Sequence, residues 1–125
     1  MDKKKRKLLI ADDEPNIRLL VKRIFEQEYT ILEAENGKKA VDIALHNTPD
    51  IILMDIMMPE IDGLTALSAM KANERTRSIP VIMLTGVGHE LNEIMAKSMG
   101  AKGYMRKPIN SQELLDIVNK LLNDR

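Results

Sequence analysis

The segment IILMDIMMPEIDG, residues 51–63, passes from a wholly apolar run into a polar turn. Four apolar residues in succession, 51–54, are typical of a strand that is buried on both faces of a parallel sheet. The run stops at Asp55, and Pro59 and an Asp-Gly pair then indicate a loop. Ligands bind beyond the carboxyl ends of the strands in open parallel sheets, so this stretch predicts such a sheet with Asp55 at the edge where a site would lie.

Short apolar runs of this kind alternate with helical patterns along the rest of the 125-residue chain. Strands are predicted at residues 8–11, 29–34, 51–54, 81–84 and 103–106. Apolar residues recur at helical spacing in five further segments, which are predicted to begin near Pro15, Asn36, Gly63, Leu91 and Asn110. Five strand–helix units in series predict a parallel sheet with helices on both faces.

The polarity of the strands predicts their order in the sheet. The first, third and fourth strands are continuous apolar runs, whereas the second, YTILEA, and the fifth, GYMR, are mixed and therefore belong at the edges. This favours the order 2-1-3-4-5, which is the order of flavodoxin-like proteins. The predicted fold class is α/β, a flavodoxin-like (βα)5 three-layer sandwich with a five-stranded parallel sheet. We expect a single domain over residues 1–125, with a core at about 7–122.

The residue totals argue against several classes of protein. The 19 basic and 19 acidic residues give a net charge of +0, which does not favour binding to nucleic acid. The chain has no Cys, which excludes disulfides and thiolate metal sites and is usual in a reducing cytoplasm. No apolar run approaches the ~18 residues that a membrane span needs. We therefore expect a cytoplasmic protein that binds neither membranes nor nucleic acid directly.

The residues that follow the strands carry the chemistry of the predicted site. They are carboxylates after the first and third strands, a hydroxyl after the fourth and an ammonium after the fifth: Asp12, Asp13, Glu14, Asp55, Thr85 and Lys107. Two carboxylates about 5 Å apart repel each other by about 3 kcal/mol at an effective dielectric constant of about 20. A hard cation would relieve this repulsion, and oxygen ligands without His or Cys favour Mg²⁺ over zinc.

A carboxylate held beside Mg²⁺, an ammonium and a hydroxyl is suited to accept a phosphoryl group. Asp55 is the natural nucleophile because it stands alone at the end of the central strand, whereas the adjacent Asp12 and Asp13 are better placed to hold the metal. Each feature alone is weak, since an Asp at a strand end is more often a cap or loop residue. The combination is specific because it requires suitable residue types at the ends of four of the five strands.

At these residues the sequence closely resembles the receiver domain of bacterial two-component response regulators, the CheY-like family. The resemblance covers about residues 7–122 and rests on the segments LLIADDEPNIR, DIILMDIMMPEIDGL, IPVIMLTG and GAKGYMRKPI. It implies that Asp55 accepts the phosphoryl group. It also implies that Asp13 binds Mg²⁺ directly, that Asp12 acts mainly through water, and that the backbone carbonyl of Met57 is the third protein ligand.

The resemblance also implies which residues act as a switch. Thr85 would be the hydroxyl that moves to meet the phosphoryl group, and Tyr104 the aromatic side chain that swings inward with it. Lys107 would pair with the phosphoryl group, and its peptide bond to Pro108 would be cis, which proline makes accessible. Family members then change the face formed by helix 4, strand 5 and helix 5, and so alter partner binding or self-association.

The family resemblance implies a signalling phosphoacceptor rather than an enzyme. The expected phosphodonor is a histidine kinase or a histidine phosphotransfer protein, and the expected output is a partner protein, an output domain or a phosphorylation-linked dimer. In this family, the side chains two positions after Asp55 and two after Thr85 border the path of an attacking water. Met57 and Val87 are both apolar and cannot orient that water, so autodephosphorylation is expected to be slow.

Three other interpretations are less consistent with the sequence. A phosphatase of the haloacid dehalogenase type also uses an aspartyl nucleophile with Mg²⁺. Its sequence pattern has a second Asp two residues after the nucleophile, where this chain has Met57. An FMN-binding flavodoxin-like protein needs a Ser-, Thr- or Gly-rich loop after the first strand, and DDEPN would repel a bare phosphate. A receiver that serves as a phosphorylation-independent interaction module is disfavoured by the intact Asp55, Thr85 and Lys107.

Overall fold

The computed structural model describes residues 5–86 and 90–123, in which five strands alternate with five helices. The strands are β1 (Arg6–Ala11), β2 (Tyr29–Ala34), β3 (Ile51–Asp55), β4 (Val81–Thr85) and β5 (Gly103–Arg106). The helices are α1 (Pro15–Phe25), α2 (Gly37–Asn47), α3 (Gly63–Lys71), α4 (Glu90–Ser98) and α5 (Ser111–Asn123). Neighbouring strands pair in parallel in the order β2-β1-β3-β4-β5. The predicted α/β class and strand order are therefore confirmed.

Burial follows the predicted division between central and edge strands. Every residue of β3 and β4 is buried, whereas β2 and β5 mix buried residues with half-buried and exposed ones. β2 and β5 each pair with one other strand, so they form the two edges of the sheet. Their polar side chains therefore reach water without interrupting the buried centre.

Three strands extend further than their apolar runs. β1 begins two residues earlier than predicted, because Arg6 and Lys7 pair in register with β2 although their side chains are exposed. At the opposite edge, β3 includes Asp55 and β4 includes Thr85, each one residue beyond the predicted end. Both candidate site residues are therefore held by strand pairing rather than by a loop.

Alternate strand residues face two separate apolar cores. On β1, Leu8 and Ile10 belong to the core under α1 and α5. Leu9 and Ala11 belong to the core under α2, α3 and α4. The sheet is thus covered on both faces, which confirms the predicted three-layer sandwich.

Side-chain caps fix where three of the helices begin. Oδ1 of Asn36, Asp62 and Asn110 each accepts a hydrogen bond from the backbone N–H three residues later, at 2.8 to 2.9 Å. α1 has Pro15 in its first turn instead. These residues place the helix starts at the carboxyl edge of the sheet, beside the candidate site.

Among the described helices, none combines the length and the apolar character needed to cross a bilayer.

The turn after β3 returns the backbone to the end of that strand at Gly63. The Gly63 N–H donates a hydrogen bond to the Ile56 carbonyl oxygen at 2.8 Å. A Cβ atom at position 63 would lie 2.2 Å from the carbonyl oxygen of Asp55 and 2.8 Å from Cα of Ile56. Both neighbours are backbone atoms that cannot rotate away, so only glycine fits beside Asp55.

Gly63→Ala is expected to lower the free energy of unfolding by about 2 kcal/mol or more, because the added methyl group must displace backbone at the end of β3. Urea unfolding followed by circular dichroism measures the loss. Gly86→Ala is the matched control, since a Cβ atom at position 86 meets nothing within 4 Å. That variant is expected to change stability by less than about 0.5 kcal/mol. Equal stability of the two variants would contradict the close backbone approach at Gly63.

Candidate functional site

Three carboxylates meet at the carboxyl edge of the sheet, at the ends of the neighbouring strands β1 and β3. Asp12, Asp13 and Asp55 each offer an oxygen atom, and these atoms lie within 4.8 Å of one another. Asp12 and Asp55 are 0% and 3% exposed, whereas Asp13 is exposed to solvent. The parallel pairing of β1 with β3 brings the residues that follow β1 to the end of β3. These three residues are called the acidic pocket below.

The Lys107 ammonium lies among these carboxylates. Its Nζ is 2.9 Å from Asp12 Oδ2, 3.1 Å from Glu14 Oε1 and 3.4 Å from Asp55 Oδ2. The contact with Asp12 is an ion pair in which Oδ2 does not accept a hydrogen bond of good geometry. One ammonium therefore faces several carboxylates, and the local charge stays negative.

The backbone joins Lys107 to the end of β4. The Lys107 N–H donates to the Thr85 carbonyl oxygen at 2.6 Å, and the Lys107–Pro108 peptide bond is cis. Thr85 is fully buried, and its hydroxyl makes no hydrogen bond in the part of the chain that the structure describes. A buried hydroxyl without a partner costs roughly 1–3 kcal/mol, so this oxygen is available to bind a ligand.

The two residues predicted as the switch lie on one face of the sheet. Tyr104 pairs in register with Met83, which precedes Thr85 by two residues and shares its face. Tyr104 is half-buried against the core under α2, α3 and α4. Thr85 and Tyr104 are therefore diagonal neighbours on adjacent strands. Val87, predicted to border the water path, lies outside the described residues.

Met57 contacts the carboxylate that ends β3. Its backbone N–H donates to Asp55 Oδ1 at 3.3 Å, and its side chain is 59% exposed. The carbonyl predicted as a metal ligand belongs to this same residue. An apolar side chain thus stands in solvent two residues from Asp55, while the Met57 backbone lies against the pocket.

Burial makes the carboxylates of Asp12 and Asp55 harder to ionise. It raises the pKa of Asp12, and Lys107 opposes the effect. Burial, with added repulsion from Asp12, raises the pKa of Asp55 to about 6. Burial also lowers the pKa of Lys107, but its carboxylate partners outweigh that effect and leave the pKa above its usual value. At neutral pH the Asp55 carboxylate is therefore ionised in an environment that disfavours its charge.

The donor set of the acidic pocket fits a small, hard divalent cation. Its three carboxylate oxygens lie within 4.8 Å of one another and carry more negative charge than one ammonium neutralises. Mg²⁺ prefers oxygen ligands and retains several waters, and the exposure of Asp13 leaves room for them. The unpartnered Thr85 hydroxyl adds a donor for an anionic oxygen. The arrangement suits a nucleophilic carboxylate that works beside a cation.

Arg18 also contacts the site, although it was not among the residues predicted from the sequence. Its Nη1 donates to the Asp12 carbonyl oxygen at 2.7 Å, and its Nε donates to Glu33 Oε1 at 3.2 Å. The available sequence signal is a cation near the start of α1, six residues after Asp12. Such a residue cannot be distinguished by spacing from an arginine on a solvated helix face.

Comparison with known proteins identifies similar chains. The model of the response regulator receiver domain family matches residues 8–119. The receiver domain of Francisella response regulator 1452 superposes with a TM-score of 0.86 and 31% identity, over 96% of this chain and 98% of that chain. The receiver domain of the sensor histidine kinase PA1611 from Pseudomonas aeruginosa has a TM-score of 0.87 and 26% identity, over 95% and 98%. That structure has a magnesium ion coordinated in its active site cleft.

A longer curated protein is also similar. The transcriptional regulatory protein SrrA of Staphylococcus aureus is 39% identical over 116 residues, which are 92% of this chain and 47% of SrrA. The chain therefore spans about half the length of this relative.

Asp55→Asn is expected to stabilise the metal-free protein at pH 7.5. Folding raises the pKa of Asp55 from 3.8 to about 6. Above pH 6 the carboxylate is ionised in both states, and its charge is less favourable in the folded state, so it lowers the free energy of unfolding. Removing the charge relieves at most about 3 kcal/mol at pH 7.5, a net value that already includes the attraction of Lys107 for the ionised carboxylate. The gain declines as the pH falls from 6 towards 3.8, because both states then bind the proton. Urea unfolding in EDTA at pH 7.5 and pH 5 measures both effects.

Asp42→Asn, at an exposed position of α2, is the control for this measurement. It is expected to stay within about 0.5 kcal/mol of the parent at either pH. If Asp55→Asn were less stable than the parent at pH 7.5, or if its advantage grew towards pH 5, the raised pKa of Asp55 would be contradicted.

Proposed function

The chain belongs to the response regulator receiver domain family, and we propose that it is a signalling switch that accepts a phosphoryl group on Asp55. Receiver domains of this family act in phosphorylation-dependent two-component signalling. The observation that carries the proposal is the setting of the Asp55 carboxylate, which lies 3.4 Å from Lys107 Nζ in the acidic pocket. A carboxylate so placed is a nucleophile with a cation beside the charge that transfer develops.

In the proposed step, a carboxylate oxygen of Asp55 attacks the phosphorus of a phosphohistidine. The new O–P bond forms as the P–N bond breaks, and the imidazole keeps the electron pair and takes up a proton. Lys107 neutralises charge beside the transferring oxygens, and the Thr85 hydroxyl donates a hydrogen bond to one of them. The attack requires the ionised form of Asp55, so protonation of this carboxylate would prevent transfer.

The proposal includes a Mg²⁺ ion held directly by Asp13 and Asp55, mainly through water by Asp12, and by the backbone carbonyl of Met57. When bound, the ion neutralises charge on the phosphoryl oxygens. Support comes from the three carboxylate oxygens that lie within 4.8 Å of one another. Further support comes from the magnesium ion in the active site cleft of the similar Pseudomonas aeruginosa receiver domain.

Phosphorylation is proposed to change the face formed by α4, β5 and α5. Thr85 would move towards the phosphoryl group, and Tyr104, its diagonal neighbour, would move with it. Ile94 of α4 is 65% exposed, and Glu93 Oε2 of α4 lies 3.7 Å from Arg106 Nη2 of β5. Arg106 also pairs in register with Thr85, so a shift at the end of β4 would have a path through β5 to α4.

The proposed phosphodonor is a histidine kinase or a histidine phosphotransfer protein. Because the chain spans about half the length of SrrA, a transcriptional regulatory protein, an attached output domain and a separate output partner are both consistent with it. A phosphorylation-linked dimer through the fourth and fifth helices is a third form of output. The single-domain organisation, the cytoplasmic location and the lack of direct nucleic-acid binding stay predictions from the sequence.

The alternatives have less support from the described residues. A haloacid dehalogenase-type phosphatase needs a general acid two residues after its nucleophile, and the Met57 thioether cannot serve as one. The loop after β1 carries carboxylates where an FMN phosphate would bind. A phosphorylation-independent interaction module gains nothing from a buried, unpartnered Thr85 hydroxyl and a raised pKa of Asp55. We therefore favour the phosphoacceptor.

Incubation with acetyl phosphate and Mg²⁺ is expected to add one phosphoryl group to the protein, detected by intact mass. Asp55→Asn lacks the nucleophile and should show no gain, whereas the control Asp42→Asn should match the parent. Chelation by EDTA should prevent the gain in the parent. Phosphorylation of Asp55→Asn to the extent seen in the parent would refute the assignment of the acceptor.

The phosphorylated protein is expected to lose its phosphoryl group slowly, because the exposed Met57 side chain cannot orient an attacking water. Met57→Asn supplies a polar amide and should shorten the half-life several-fold. Met95→Asn, which replaces an exposed methionine of α4, should not. Intact mass after removal of the donor follows the loss. A parent half-life of seconds, with Mg²⁺ and without a phosphatase, would rule out slow autodephosphorylation.

A further inference from the structure

We propose that Arg18 is a positioning residue for the acidic pocket, which it serves by holding the peptide group between Asp12 and Asp13. The inference rests on the proposed function, because it concerns how these two carboxylates are presented to Mg²⁺. Arg18 itself touches the backbone of the pocket rather than any ligand atom. Arg18 is therefore proposed to affect the affinity for Mg²⁺ indirectly, because it orients the backbone that carries the Asp12 and Asp13 side chains.

The hydrogen bond from Arg18 acts on a rigid unit. Nη1 donates to the Asp12 carbonyl oxygen at 2.7 Å, and that oxygen lies in one plane with the Cα atoms of Asp12 and Asp13. Fixing the oxygen therefore fixes the orientation of this plane. Both side chains are attached to Cα atoms that lie in it. Asp13 is exposed to solvent, so its direction depends on its own backbone more than on packing.

The guanidinium is itself held in place. Its Nε donates to Glu33 Oε1 at 3.2 Å, and its side chain is 18% exposed. Glu33 belongs to β2, whose last residue, Ala34, accepts a hydrogen bond from the Asp12 N–H at 3.0 Å. The end of β2 therefore supports the residue after β1 twice, once through its backbone and once through Arg18.

Geometry rather than charge explains how Arg18 would act. The main influences on the pKa of Asp12 are burial, Lys107 and Glu14. Lys107 supplies the positive charge of the pocket, whereas Arg18 contributes two directed hydrogen bonds. A planar guanidinium suits this task because its N–H groups have fixed directions.

A neighbouring ion pair provides a matched control. Arg18, Glu33, Glu35 and Lys39 line a polar cavity of about 240 Å³ beside the end of β2. Across this cavity, Lys39 Nζ donates to Glu35 Oε1 at 2.6 Å, and both side chains are largely exposed. This pair has the same charges as Arg18 and Glu33, but it belongs to α2 and the residues before it. Lys39 makes its hydrogen bonds to Asn36 and Glu35, and none of these contacts involves Asp12.

The test is the affinity of the full chain for Mg²⁺, measured by isothermal titration calorimetry, with folding verified by circular dichroism. Arg18→Met keeps an unbranched side chain but removes the donors, and it is expected to weaken Mg²⁺ binding about tenfold or more. Arg18→Lys retains a cationic nitrogen with N–H donors but lacks the planar fork, and it is expected to recover part of the affinity. Lys39→Met, which removes a cation from the same cavity, is expected to match the parent.

The rate of phosphorylation by acetyl phosphate gives a second measurement. Arg18→Met should react slowly at low Mg²⁺ and approach the parent rate when Mg²⁺ is saturating, because the nucleophile Asp55 is unchanged. A role limited to stability would lower the unfolding midpoint and leave the Mg²⁺ dissociation constant unchanged.

A folded Arg18→Met variant whose Mg²⁺ affinity stays within about twofold of the parent overturns the proposal for Arg18 alone. Equal weakening in Lys39→Met also overturns it, because the effect would then be one of general charge. A parent chain that neither binds Mg²⁺ nor gains a phosphoryl group overturns the proposed function and this inference together.

Discussion

Mutual repulsion among buried carboxylates, only partly neutralised by one ammonium, is the constraint on which this site depends. Lys107 contacts Asp12, Glu14 and Asp55, yet burial still raises the pKa of Asp12 and of Asp55. The folded protein therefore carries a free-energy cost of burying charge, which well-packed apolar side chains at these positions would not carry. A divalent cation and a phosphoryl group, as proposed, would turn that cost into binding energy. On the proposed function, the same crowding would account both for phosphoryl acceptance and for the free-energy cost that the pocket carries.

The parallel sheet is what makes such crowding possible. β1, β3, β4 and β5 are consecutive in the sheet, so residues that follow distant segments of the chain reach one edge together. The strand ends are rigid because Asp55 and Thr85 are themselves paired. Gly63 lets the next loop return against Asp55 without a side chain in between. The paired end of β3 holds Asp55 close to the carboxylates that follow β1, where flexible loops alone would let the like charges separate.

Sequence patterns predicted the layers, the strand order and the acidic pocket, because each depends on local polarity and on which residue follows a strand. They did not predict that Arg18 binds the Asp12 carbonyl, and they gave Glu14 no partner. Arg18 lies on α1 and Glu14 lies just before it, so their contacts with the Asp12 carbonyl and with Lys107 depend on how α1 is oriented against the sheet. Local sequence patterns do not determine that orientation. The start of β1 was missed for a related reason, since Arg6 pairs through its backbone while its exposed side chain shows no apolar pattern.

In the proposed function, the buried Thr85 hydroxyl would connect the chemistry of the site to a change of state. Leaving it without a hydrogen bond costs roughly 1–3 kcal/mol, and a phosphoryl oxygen on Asp55 would offer the missing partner. Only an interaction that differs between two arrangements can shift the balance between them. A difference of about 1.4 kcal/mol changes a population ratio about tenfold. On the proposed function, one satisfied hydroxyl would supply enough free energy to bias Thr85 towards a second arrangement, and the neighbouring Tyr104 would move with it.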